Sequence, residues 1–257
     1  MLTKAQIQRI AQRNGVGMQV QERDYVQHLI LWLLYSRSQA LIFKGGTALR
    51  LVYGGNRYSE DLDFNGPDDV AVLQSLWMDI IAGLEDFGVV AEMRNDWISD
   101  VGCSFDVSFQ GPLHNGRDRS KGKVRVDVNL RPEKVETRRE LVTSEYDDVR
   151  PFVVTVLTPE HLMAEKTRAL LVRGKPRDLY DIWLLHREVE PDTALIERKL
   201  ALYEMRWGPG ALEEAVERVQ ADWERDLRPL LPQFVPYEVV RQGIAALLER
   251  TDLRKRQ

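Results

Sequence analysis

The sequence predicts an α+β protein: a mixed β-sheet lobe with flanking helices over residues 1–157, followed by a helical lobe over residues 158–257. Three observations predict it. Segments that alternate β-branched and polar residues all lie before residue 158. From Thr158 onward the apolar residues recur at helical spacing instead. Between residues 40 and 64 the chain reads as strand, glycine turn, short helix and second strand, and it ends in two aspartates one residue apart, Asp61 and Asp63. With 257 residues and 44% apolar content, such a chain can bury one large core or two smaller ones.

Each element follows from its local pattern. Residues 3–13 form a short amphipathic helix, and residues 21–38 a longer one with Tyr25, Ile30, Leu33 and Leu34 as its buried stripe. His28 and Trp32 lie in the same apolar segment; His28 reads as a core residue, because no second metal-type ligand keeps helical spacing with it. Residues 40–43 (ALIF) are a strand leading into Gly45 and Gly46, and TALRLVY is the following helix. On the strand DLDF, residues 61–64, Asp61 and Asp63 share one face while Leu62 and Phe64 take the other. Residues 68–87 are a helix capped by Asp68 or Asp69, with Leu73, Leu76, Trp77, Ile80, Ile81 and Leu84 inward. Three strands, 89–97, 101–109 and 123–130, are expected to extend the sheet as antiparallel neighbours. The charged stretch 131–150 reads as a surface connection, and FVVTVL, residues 152–157, as the last strand. Thr158 as cap and Pro159 at the first helical position open the second lobe, and Gly174 closes its first helix. Three more amphipathic helices are expected over residues 192–257, with Trp207 and Trp223 in the core and Arg254, Lys255 and Arg256 as a basic tail.

The chemistry gathers around Lys44 to Phe64. Two ionised carboxylates side by side repel unless a cation sits between them, and oxygen donors on an open face suit Mg²⁺. Upstream, Gly45 and Gly46 let the backbone approach a phosphate, and the N-terminus of the next helix offers unpaired N–H groups to an anion. In KVRVDVNL, Asp127 alternates with three valines, where it is either the partner of a nearby arginine or a third carboxylate of the same site. Before it stand Arg117, Arg119, Lys121, Lys123 and Arg125, either a solvated loop or a set of phosphate contacts. In the helical lobe Lys166 forms a cationic edge, and Asp178 and Asp181 lie on one side of a helix whose other side carries Leu179, Ile182 and Trp183.

Taken as a set, Gly45-Gly46-Thr47, Ser59-Glu60-Asp61-Leu62-Asp63, Lys166 and the element Lys175-Pro176-Arg177-Asp178-Leu179-Tyr180-Asp181 resemble the abortive-infection toxins of the AbiEii type. These are nucleotidyltransferase-like toxins of type IV toxin-antitoxin systems, within the polymerase-beta type of nucleotidyltransferases, and the resemblance spans about residues 20–190. It implies a nucleotidyltransferase-like fold that transfers NMP from NTP to an RNA acceptor, the tRNA 3′ end, with release of pyrophosphate. It implies Asp61, Asp63 and Asp127 as Mg²⁺ ligands, and Gly45, Gly46 and Thr47 as nucleotide-binding residues with the Thr47 hydroxyl as a donor. Lys166 is implied to bind the β- and γ-phosphates, Asp178 to be needed for activity, the cleft to lie between the lobes, and a separately encoded antitoxin to be the partner. Two other readings stand beside this: a nucleotidyltransferase acting on a protein side chain or small molecule, and a binding module that keeps the fold without turnover.

Composition narrows the field. A net charge of −4 and a pI of about 5.7 exclude a protein that coats nucleic acid indiscriminately. The one cysteine, Cys103, excludes an internal disulfide and fits a reducing cytoplasm. Residues 1–13 lack the apolar segment of a secretory leader, and the longest apolar run, Leu29 to Tyr35, falls far short of the roughly 20 residues that span a bilayer. A cytoplasmic protein with no membrane partner is expected. No HExxH, CxxC or GxSxG element is present.

Overall fold

A computed structural model of the protein describes every residue except Asp68, Trp207, Arg256 and Gln257, and the backbone alone at Pro209 and residues 251–255. The expected roles of Asp68, Trp207 and the basic tail therefore fall outside the described residues. The chain forms two compact units, Met1–Leu157 and Thr158–Gln257.

Unit 1 begins with α1 (Lys4–Asn14) and α2 (Met18–Arg37). Thr3 and Gln6 exchange the reciprocal hydrogen bonds that satisfy the first orphan N–H groups of α1. Next come β1 (Ile42–Lys44), α3 (Gly45–Val52), β2 (Asp61–Asn65) and α4 (Val70–Gly83), whose N-terminus is capped by the Asp69 carboxylate at the amide of Val72. A 3-10 turn, Leu84–Phe87, continues α4 to Gly88. The remaining strands are β3 (Val90–Ser99), β4 (Gly102–Gln110), β5 (Gly122–Asn129), β6 (Thr137–Val142) and β7 (Phe152–Leu157).

These strands form one mixed sheet in the order β3-β4-β5-β2-β1-β7-β6. As expected, β3 to β5 pair antiparallel among themselves. Their junction with β2 is parallel instead, because α4 carries the chain across the sheet before the β3-β4-β5 meander begins. A further correction concerns residues 131–150. They contain the edge strand β6, exposed over most of its length, where Arg138, Arg139 and Glu140 supply the charge that hid the strand in the sequence.

Helices α2 and α4 pack on one face of the sheet. Phe43, Phe64, Trp77 and Phe105 stack in series there, with ring centroids 5.5, 5.7 and 5.2 Å apart. Leu62, Val124, Val126 and Val128 complete this buried layer. The apolar halves of β2, β4 and β5 are thus consumed by the core, and their polar halves are left on the opposite face.

Unit 2 is helical: α5 (Pro159–Arg173), α6 (Pro176–Leu185), α7 (Thr193–Ala201), α8 (Pro209–Arg218), α9 (Trp223–Leu227) and α10 (Tyr237–Lys255). Among the described residues four helices follow residue 192 where three were expected, because the stretch after α8 breaks into short 3-10 pieces around α9. Thr158 accepts from the amide of His161 and caps α5. Trp223 is buried, with Tyr180 and Tyr237 against it at 6.4 and 5.6 Å. Among the described residues no helix is long and apolar enough to cross a membrane.

Candidate active site on the polar face of the sheet

Register places the carboxylates. In the parallel β2-β5 pair Asp63 lies directly opposite Asp127, and Asp61 opposite Arg125. In the antiparallel β1-β2 pair Lys44 lies opposite Asp63. Residues directly opposite across a ladder project to the same face, so Lys44, Asp61, Asp63, Arg125 and Asp127 share the side away from α2 and α4. Asp127 is half-exposed rather than enclosed among valines.

The turn between β1 and α3 is shaped to Asp63. Gly45 has φ of +76°, and a Cβ built on it would fall 2.0 Å from the Asp63 carboxylate oxygen Oδ2. Only a residue without a side chain lets that carboxylate lie against the backbone. Gly46 is equally crowded, by the Arg57 guanidinium and the Ser59 hydroxyl. Thr47 departs from its expected role: it is buried, and its hydroxyl donates to the Asp61 carbonyl at 2.6 Å. That bond ties the start of α3 to the head of β2, so the Thr47 hydrogen is not aimed at a ligand.

Arg125 and Asp127 set the local electrostatics. Burial pushes the Asp127 carboxyl above its usual range, and the Asp63 charge pushes it further. Arg125 opposes both, with Nε 3.5 Å from the Asp127 carboxylate. The same guanidinium donates to Ser104 Oγ at 2.6 Å and to Asp106 at 3.3 Å. For Asp106 burial works upward, yet hydrogen bonds from Asn95 and Arg125 and the Lys123 charge outweigh it and hold the carboxyl low. Asp127 thus has an arginine partner and lies opposite the Asp63 carboxylate across the ladder.

Among the described residues no group of three or more His, Cys, Asp or Glu is arranged to hold a metal ion. Asp61, Asp63 and Asp127 are not drawn around a common point. Their donor chemistry still fits a hard divalent cation: carboxylate oxygens on one face, two of them register partners whose mutual repulsion a cation would relieve.

In unit 2, Lys166 is buried rather than forming an exposed edge. Its ammonium lies 2.7 Å from Asp181 and 3.7 Å from Asp178. Asp178 is fully buried and gripped by both arms of Arg173, each at 2.8 Å. The two aspartates of α6 thus point into the helical packing against α5.

The sequence reading missed Lys44, Ser104 and Asp106. Lys44 sat unremarked before the glycine pair. Ser104 and Asp106 carried a signal, since they alternate with Phe105 and Val107 as Arg125 and Asp127 alternate with the valines of β5.

Residues 32–250 match the family described as nucleotidyl transferase AbiEii toxin, type IV TA system. The chain belongs to the AbiEii toxin family. Solved structures share its fold, and two of them illustrate the match. MenT4, the nucleotidyltransferase toxin Rv2826c of Mycobacterium tuberculosis H37Rv, superposes with a TM-score of 0.71 at 21% identity, over 96% of this chain and 90% of that one. JHP933 from Helicobacter pylori gives a TM-score of 0.64 at 19% identity, over 94% of this chain and 96% of that one. Among curated proteins none matches. As an AbiEii member the chain is a nucleotidyltransferase and the toxin of a type IV toxin-antitoxin pair, so an antitoxin is its partner.

Proposed function

We propose that this AbiEii toxin transfers NMP from an NTP to an RNA acceptor, the 3′ end of tRNA, in the cytoplasm. The observation that carries the reading is the register of β2 on β5, which sets Asp63 beside Asp127 with Gly45 packed under the Asp63 carboxylate. Asp61, Asp63 and Asp127 are the residues that would hold Mg²⁺. When bound, the ion neutralises the triphosphate and favours the ionised acceptor hydroxyl.

The chain's own groups do the positioning. Gly45 and Gly46 open α3 and present its first backbone N–H groups to phosphate oxygens. Lys44 adds positive charge on the same face. Lys166 is assigned to the β- and γ-phosphates; its fixed position against Asp178 and Asp181 favours an oriented cation over a mobile one. Arg173 and Asp178 hold α5 and α6 in place for it. In the transfer the acceptor oxygen bonds to the α-phosphorus, the bond from that phosphorus to the pyrophosphate oxygen breaks, and the hydroxyl proton leaves to water.

Incubation with each α-phosphate-labelled NTP, Mg²⁺ and total cell extract tests this. Label in tRNA, lost in Asp63→Ala, is the expected result. Label in protein or in a small molecule instead transfers the assignment to those acceptors. No label from any NTP overturns the reading.

A further inference from the structure

One large aromatic side chain on the polar face has no place in this account. Trp97 is 55% exposed. Among the described residues it has neither a ring contact nor a hydrogen-bond partner. Its register is informative: Trp97 lies opposite Ser104, Ser104 opposite Asp127, and Asp127 opposite Asp63. The four residues form one row across four adjacent strands, on one face. Two strand spacings of about 4.8 Å put the Trp97 backbone roughly 10 Å from that of Asp127.

Simple alternation would not have put it there. Glu92 and Arg94 of β3 pair with Ser108 and Asp106 and face the polar side, while Met93 pairs with Val107 of the core layer. Continued in step, Asp96 would take the polar side and Trp97 the core side. A bulge between Arg94 and Trp97 shifts the register by one residue. Asn95 adopts φ of +53° there, and its amide is anchored to Asp106 at 2.8 Å. Local backbone strain is thus spent on turning an indole out of the core layer onto the carboxylate face, a recurrent use of bulges beside active sites.

We propose that Trp97 is a stacking platform for a nucleobase of the RNA acceptor, placing the acceptor end over Asp127 and Asp63. The proposal rests on the RNA-acceptor reading above. Single-stranded nucleic acids are held by aromatic platforms combined with cations that track the backbone. Lys123 and Arg125 supply such cations on the same face of β5, the Lys123 side chain being 62% exposed. A protein partner suits this position less well. Protein hot spots sit among apolar neighbours, whereas the cross-strand row beside Trp97 continues with Ser104 and Asp127, and Ile98 belongs to the opposite face.

The test compares Trp97→Ala, Trp97→Phe and, as control, Ile98→Ala, each checked by thermal melting. Binding of deacylated bulk tRNA is measured without nucleotide, and transfer is measured with KM determined separately for tRNA and NTP. Trp97→Ala is expected to weaken tRNA binding and raise its KM by about 5- to 150-fold, the range of one stacked base, with the NTP KM unchanged. Trp97→Phe retains most of the binding, and Ile98→Ala all of it. A rise in the NTP KM alone overturns the proposal in favour of the incoming base. Unchanged binding and KM, or loss only of neutralisation by the antitoxin, overturns it outright, as does a wild-type protein that binds no tRNA. If the wild type transfers nothing to tRNA yet Trp97→Ala still weakens tRNA binding, the transfer reading fails and the platform stands.

Discussion

Replacing Gly45 by alanine isolates the contact on which the candidate site depends. The new Cβ would stand 2.0 Å from Asp63 Oδ2, 2.7 Å from Cγ and 2.9 Å from Cβ, so the carboxylate must move by more than about 1 Å to reach ordinary contact. A misplacement of about 1 Å at a reacting centre costs on the order of 100-fold in rate. The substitution also carries a backbone penalty, since φ of +76° costs an L-residue about 1–2 kcal/mol. Gly54→Ala provides the matched control: its φ is +67°, and nothing lies within 4 Å of the added carbon. For a unit of this size Gly54→Ala should lower the melting temperature by about 2–8 °C and leave activity intact. Gly45→Ala should melt at least as low and lose about 100-fold or more in kcat/KM. Melting by circular dichroism and labelled-nucleotide transfer on both proteins provide the comparison. Equal activity of the two variants would refute the argument that the Gly45 turn places Asp63.

Lys166→Ala should cost stability as well as activity, because it removes the cation from a buried carboxylate cluster, a loss of about 3–5 kcal/mol; an inactive variant with wild-type melting would instead mean that Lys166 acts on substrate alone. Burial lowers the His28 pKa to about 4, so the folded state favours neutral histidine. That contribution is complete above pH 6.5 and is lost as pH falls toward 4, on the order of 3 kcal/mol; His28→Phe, which keeps an aromatic ring beside Tyr146, should flatten this limb of the stability profile. For Asp127 the sign is opposite: its carboxyl is held above the usual range, so its contribution is favourable below about pH 3.9 and is lost as pH rises through the native value. In chelator at pH 7, Asp127→Asn should therefore melt above the wild type, and that gain should vanish in acid.

Sequence alone determined the α+β class, most of the strands and helices, Thr158 as a cap and Asp69 as one of two candidate caps, and the shared face of Asp61 and Asp63. These are local properties: period and capping chemistry act within a few residues along the chain. It mistook β6 for a connection, because an edge strand wet on both sides carries charge where a buried strand carries alternation. It read Lys166 as a cationic edge although the side chain is buried, because charge predicts exposure only until opposite charges on two helices pair with each other. What tertiary structure alone decided is register. Hydrogen-bonded ladders between β2 and β5, and a one-residue bulge in β3, choose which residues stand opposite one another. From that choice come the Asp63-Asp127 pair, the Gly45 turn beneath it, and an exposed indole two strands away.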